Sequence, residues 1–217
     1  MKEIAGVRLP DTPLCQAATQ FARSASEPYL FHHVMRSFVY ADWIGQLRRW
    51  TYDRETLYVA TVLHDLGLTS VAPVRERFEI EGADAAKAFL AKQGADERML
   101  DQVWDAIALH TTAEIPLRKS PEVALCQLGI GCDIRGLPGD SSDDPVTAEV
   151  LKAYPWLGLD EALLNDLVGL YRKNPVASAS HAVADACERR VEGFRRFNLC
   201  EVLGNRARVC ALEGNQS

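Results

Sequence analysis

The sequence lacks the features that would assign it to a membrane, to nucleic acid or to a thiolate metal module. Its six cysteines, Cys15, Cys126, Cys132, Cys187, Cys200 and Cys210, include no Cys-x-x-Cys pair, and several lie in apolar helical patterns. That excludes a zinc ribbon and fits reduced, structural thiols of an intracellular protein. No apolar run is long enough to span a bilayer. No basic segment followed by a long apolar run opens the chain, as a signal peptide would, so a cytoplasmic protein is expected. There is no basic stripe either. With a formal net charge of -6, the chain has no obvious means of releasing counterions from a phosphate backbone, so neither nucleic acid nor a membrane is an expected partner. Anionic small molecules stay admissible, because local arginines override net charge. Internal repeats, low-complexity stretches and β-type alternation are all missing.

What remains is an ordinary globular composition, 47% hydrophobic and 25% charged over 217 residues, enough to bury a sizeable core in one domain. Helix signals recur along it. Thr12 precedes Pro13, and a helix is expected to about Arg23. Ser26-Glu27-Pro28 opens a long one to about Trp50. Asp53 opens a third that ends near Asp65 to Gly67. Residues 69 to 80, with Pro73 and the cluster Arg75-Glu76-Arg77-Phe78-Glu79, read as a loop. Helices follow at about 82–93 and 96–110, from Ser120-Pro121-Glu122 to about Ile134, from Asp144-Pro145 to about Ala153, at about 160–172, and from Ser178 or Ser180 towards Arg195. Gly136 to Asp144 reads as a surface loop. The expected fold is all-α, a single compact helical bundle spanning 1–217. The C-terminal helices, 145–200, are expected to pack on the preceding ones.

The informative anomaly is a set of polar residues on apolar helix faces. His33, with Arg36, Ser37 and Tyr40, forms a polar stripe among Phe31, Val34, Met35, Phe38 and Val39. Leu57 and Ala60 lead to His64. Leu100, Val103 and Ile107 lead to His110. Val123 and Ile130 lead to Asp133. The pair His64-Asp65 closes an apolar helix, and a buried carboxylate has to be paired, hydrogen-bonded or metal-bound. A single histidine in such a place is ordinarily a core residue bonded to a carbonyl. Three histidines and two aspartates converging from separate helices are how a metal site in a bundle core is built. Imidazole and carboxylate ligands suit one divalent transition metal, Zn first, with Fe, Mn or Ni as alternatives. His32 lies about 100° around the helix from His33, so His33 is the expected ligand. His181, among small residues in the first turn of a late helix, reads as solvated or capping.

The order His33, His64-Asp65, Asp133 resembles the H…HD…D signature of the HD-domain superfamily of metal-dependent hydrolases, over about residues 28–134. Within it, Leu63-His64-Asp65-Leu66-Gly67-Leu68-Thr69, Arg77-Phe78-Glu79-Ile80-Glu81-Gly82-Ala83-Asp84, Leu109-His110-Thr111-Thr112 and Gly131-Cys132-Asp133-Ile134 look similar to the cyanamide-hydratase-like group. The resemblance implies His33, His64, Asp65 and Asp133 as ligands of one metal with an open position. It also implies water addition to a nitrile-type carbon of a small molecule. His32 stands where such sequences often carry Asn. The lysine that many phosphodiester-cleaving members have after the HD pair is replaced by Leu68-Thr69. Only His110 lies between Asp65 and Asp133, where a diiron oxygenase needs two further histidines.

In this reading the metal activates water. Asp65 is ligand and water-orienting catalytic group, and His110 moves a proton or orients substrate. Arg36 holds a carboxylate partner or an anionic substrate, and Phe78 contacts substrate from a loop lid with Arg77 and Glu79. The alternative is an HD phosphohydrolase acting on a nucleotide or small phosphate ester. It would need several convergent cations, and only Arg36, Arg75 and Arg77 are evident. A non-catalytic helical interaction module is the third possibility, but it would not need an intact ligand set. Homo-oligomerisation stays open.

Overall fold

In the computed structural model, residues 3–136 and 144–203 are described. Thr12 begins the helical part as its sequence predicts. Its hydroxyl accepts from the Cys15 backbone N–H, and Pro13 fills the first position of α1 (Pro13–Ala25). Asp53 does the same for α3 (Arg54–Leu63), accepting from Thr56 N. Asp96 caps α5 (Glu97–Leu109) through Met99 N. Asp144 caps α7 (Pro145–Ala153) through Val146 N and Thr147 N. Proline alone, without a side-chain cap, starts α2 (Pro28–Leu47) and α6 (Pro121–Arg135). The other helices are α4 (Phe78–Lys92), α8 (Leu159–Lys173) and α9 (His181–Arg190). The expected surface loop at 136–144 falls mostly outside the described residues.

The lead-in differs from expectation. Glu3–Ile4 (β1) and Val7–Arg8 (β2) pair as a small antiparallel hairpin across a turn at Ala5 and Gly6, both at positive φ. Two-residue strands carry too few side chains for alternation to be seen.

The fold is an all-α helical bundle organised around α2. Fourteen of its residues are buried, among them His33, Arg36, Ser37 and Asp42. An apolar stripe on one face would bury fewer; α2 is covered on nearly all sides, chiefly by α6 and α3, with α1 and α8 adding contacts. The two helices α2 and α6 come close at Gly129 of α6. A Cβ there would lie 2.3 Å from the Ser37 carbonyl oxygen and 2.6 Å from the Ala41 Cβ. A second apolar cluster joins Leu167, Val168 and Leu170 of α8 to Val183, Ala186 and Cys187 of α9, with Phe78 reaching into it from α4. No helix among the described residues is long and apolar enough to cross a membrane.

The start of α4 corrects the expected loop lid. The helix begins at Phe78, and Glu79 is fully buried rather than solvated. Arg77 precedes the helix with no side-chain cap, so the start signal that the sequence offers elsewhere is missing here. The Glu79 carboxylate accepts from the Thr111 hydroxyl (2.6 Å), the Ser180 hydroxyl (2.7 Å) and Arg77 Nη2 (3.1 Å). Ser180 therefore gives its hydroxyl to Glu79 instead of capping α9, and this bond ties α9 to the core. Burial alone would raise the Glu79 pKa. The bonds from Arg77, Thr111 and Ser180 outweigh it and hold the carboxyl below its ordinary value.

Two outcomes follow for stability. Gly129→Ala forces α2 and α6 apart and should cost about 1–3 kcal/mol in urea unfolding, with the helical spectrum retained. Because the Glu79 pKa is depressed by folding, its contribution is complete above the ordinary value of 4.5 and is lost as pH falls below it. Glu79→Gln should therefore cost about 1–3 kcal/mol at pH 7, and its deficit against the native chain should shrink in unfolding curves taken below pH 4.5.

Candidate metal centre

Two helix C-termini and the second turn of α2 meet at one buried point. His33 comes from the second turn of α2. His64 is the C-cap of α3, and Asp65 follows as the chain turns into a 3-10 segment, Leu66–Leu68. His110 is the C-cap of α5. His33, His64, Asp65 and His110 are all at most 7% exposed. Gly67 keeps α4 close to this turn, since a Cβ there would lie 1.9 Å from the Phe78 carbonyl oxygen.

The hydrogen bonds at the back of each ring set its tautomer. His64 Nδ1 lies 2.8 Å from the Thr61 carbonyl oxygen, and His110 Nδ1 lies 2.6 Å from that of Ile107. A carbonyl only accepts, so both Nδ1 atoms donate. His33 Nδ1 likewise donates to Asp133 Oδ2 at 2.6 Å. In the neutral rings every Nε2 is then a lone pair, and these lone pairs face Asp65. His33 Nε2 and His64 Nε2 are 3.2 Å apart, and they lie 3.5 and 3.1 Å from Asp65 Oδ2.

Two facing lone pairs and a carboxylate repel unless a cation sits among them. A metal with ligands at about 2.0–2.1 Å places neighbouring donor atoms roughly 2.9–3.4 Å apart. Two of the three separations fall within that spacing and the third, 3.5 Å, lies just beyond it, so His33, His64 and Asp65 can hold a metal ion. A proton can take the place instead. Burial opposes charge on His64, yet the Asp65 carboxylate outweighs it and raises the His64 pKa above the ordinary imidazole value. Burial would also raise Asp65, but His64, His33 and His110 hold its carboxyl well below the usual range. A metal has to displace that proton, so metal affinity falls as pH falls.

His110 stands slightly apart. Its Nε2 is 3.8 Å from Asp65 Oδ1, the oxygen turned away from the other two rings. Burial, then the neighbouring His64, pushes its pKa down to about 4, which keeps the ring neutral at pH 7. Its ring meets Phe78 edge to face at 5.6 Å.

One expected ligand lies elsewhere, and of the two roles expected for Arg36 the structure has the carboxylate partner. Asp133 is not in the donor cluster. Its oxygens accept from His33 Nδ1, from Arg36 Nε at 2.6 Å and from Arg36 Nη2 at 2.8 Å, so it stands behind His33 and orients the ring. Burial would raise its pKa, but these bonds hold the carboxyl below the ordinary range. Arg36 is likewise not available to a substrate. It is fully buried, its Nη1 donates to the Tyr154 and Pro155 carbonyls, and the Trp156 ring lies 5.0 Å from its Cζ. Its charge serves Asp133. The sequence pattern could not separate a ligand from the group behind it, because both sit on core-facing stripes.

The cluster forms the floor of a cavity of about 750 Å³. His33, His64, Asp65, His110 and Phe78 line it, while Arg36 and Asp133 do not. Its remaining wall comes from α6, α8 and α9, including Ile130, Leu164 and Leu167. His181 lies on that wall as an exposed residue of α9. His32 points elsewhere, its Nδ1 3.0 Å from the Pro155 carbonyl oxygen. The contribution of α8 and α9 was not legible beforehand, because leucines on an amphipathic helix look alike whether they face a core or a cavity.

No family model matches the chain, and no curated protein is significantly similar to it.

Purified protein supplied with zinc should hold about one ion per chain, and His64→Ala or Asp65→Ala should lose it. Asp133→Asn should keep it with affinity weakened about 10–100-fold, as for a group that orients a ligand. Metal titration with a competing chelator reads both; full affinity in the His64→Ala chain would remove the site.

Proposed function

We propose that this chain is a metal-dependent hydratase or hydrolase of the HD type that adds water to an electrophilic carbon, of nitrile type, in a small molecule. The single observation that carries the reading is the convergence of two Nε2 lone pairs and one carboxylate oxygen at the floor of an open cavity. A structural metal needs a closed ligand set; three donors facing a cavity leave positions for water and substrate. The order His33, His64-Asp65, Asp133 supports the HD reading, with Asp133 acting through His33. Zn is the first choice for two imidazoles and a carboxylate, and Fe, Mn and Ni suit the same donors.

A divalent metal held there supplies Lewis acidity, which lowers the pKa of a water from about 15.7 towards 7. The protein residues do the rest. His33, held from behind by Asp133, and His64, held by Thr61, present their Nε2 atoms in fixed orientations. Asp65 gives Oδ2 to the cluster and leaves Oδ1 facing His110. His110, with Nδ1–H committed to Ile107, has Nε2 free to accept the proton of the attacking water and return it to the nitrile nitrogen. Addition of water across the carbon–nitrogen triple bond then gives an amide, or urea from cyanamide. Phe78 and the leucines of α8 give the cavity above the floor an apolar lining.

Among the described residues, a phosphate ester finds less support. A phosphoryl group at the cluster needs cations beside it. Arg36 is spent on Asp133, and the arginines that line the cavity belong to exposed or half-buried positions near its rim.

The test is a substrate screen with the metal-loaded protein against cyanamide, larger organic nitriles and a panel of phosphate esters. Hydration of nitriles is expected. His110→Ala should lower kcat about 10²–10⁴-fold with metal content unchanged. Turnover confined to phosphate esters would overturn the nitrile reading and leave the metal centre intact.

A further inference from the structure

The cavity is large for the simplest nitrile. About 750 Å³ falls within the range that encloses a drug-sized ligand, and cyanamide would leave most of it empty. Its middle is apolar: Phe78, Ile130, Leu163, Leu164 and Leu167 face it from three helices. Its polar groups are segregated. The cluster lies at the buried floor, and charged side chains of exposed or half-buried residues lie around the mouth.

Those charges do not cancel. Arg190 is held by Glu161 at 2.9 Å, and Asp185 is paired with Arg196. Arg135 and Arg189 also line the cavity, and neither has an acidic partner among the described residues. His181 adds a polar edge beside them.

The Arg135 side chain is also directed. It is the last residue of α6 and folds back one turn, so that its Nη2 occupies the place of a residue-131 side chain: a Cβ built on Gly131 would lie 2.2 Å from it. Gly131 itself lines the cavity. The missing side chain thus leaves room for the guanidinium along the cavity wall at its exposed mouth.

From this arrangement we infer that the natural substrate is an amphipathic anion. The electrophilic carbon goes to the floor, an apolar body lies along α6 and α8, and a carboxylate or similar anionic group is held at the mouth by Arg135 and Arg189. The inference rests on the reading of the floor as the reaction centre, but the binding it describes does not require turnover.

Octanoate is the probe, with octanamide as its neutral counterpart and acetate as the head group alone. Each is titrated calorimetrically into the full chain, with zinc and after chelation. Octanoate should bind in both forms, and more tightly than octanamide or acetate. Arg135→Gln and Arg189→Gln should each weaken octanoate about fivefold, the upper end for an exposed ion pair, and leave octanamide unchanged. Gly131→Ala should weaken octanoate by a similar factor with an unaltered melting temperature, since only the far end of a flexible side chain has to move. Octanoate binding that is indifferent to all three substitutions, or that disappears with zinc, overturns the inference and leaves the metal centre standing. Arginine-dependent binding by a chain that holds no zinc upholds the inference and removes the metal reading.

Discussion

The opposition of His33 Nε2 and His64 Nε2 at 3.2 Å is the constraint around which the rest of the bundle is arranged. Two imidazole lone pairs do not stay that close in a dry interior unless a proton or a metal ion lies between them. Their persistence depends on the bonds behind the rings: the Thr61 carbonyl for His64 and Asp133 for His33. Each ring is held from outside the cluster, so its inner nitrogen is oriented before any ion arrives. Such pre-orientation lowers the cost of forming a metal site, because the protein pays it on folding.

Burying Asp133 to hold His33 creates a second problem, a carboxylate with no water. Arg36 resolves it with two parallel N–H bonds, and the Tyr154 and Pro155 carbonyls occupy its remaining edge. A buried pair of this kind contributes little net stability, but loss of one partner is costly. It also fixes the segment after α7 against α2, so the electrostatics of the floor reach into the C-terminal part of the chain. Glu79 performs a similar task on the other side. It gathers Arg77, Thr111 and Ser180, joining the turn after His110 to the start of α9. The floor and the wall are thus tied by two buried acid-centred networks, each made of residues far apart in sequence.

Much of this was legible in the sequence. Helix starts at Thr12, Asp53, Asp96 and Asp144 rest on local chemistry, a side-chain oxygen accepting from a backbone N–H two or three residues on, and the structure has those bonds. The residues of the floor were legible because polar groups on apolar faces have to meet one another. The start of α4 was not, since Arg77 offers no cap and Glu79 looks like any solvated loop acid until Thr111 and Ser180 approach it. The hairpin at the N-terminus was too short to leave a pattern.

By itself the sequence determined the all-α class, the helix ends that carry caps, and the identity of the buried polar residues, because each depends on near neighbours or on burial alone. Only the tertiary structure decided which of those residues are donors to the centre and which stand behind them. Asp133 and Asp65 are both buried carboxylates on helix termini. One faces two nitrogen lone pairs, and the other faces an N–H and a guanidinium. That difference is the direction of a side chain across the space between helices, and hydrophobic periodicity carries no information about it. The cavity wall from α8 and α9 was settled in the same way, by where two amphipathic helices dock.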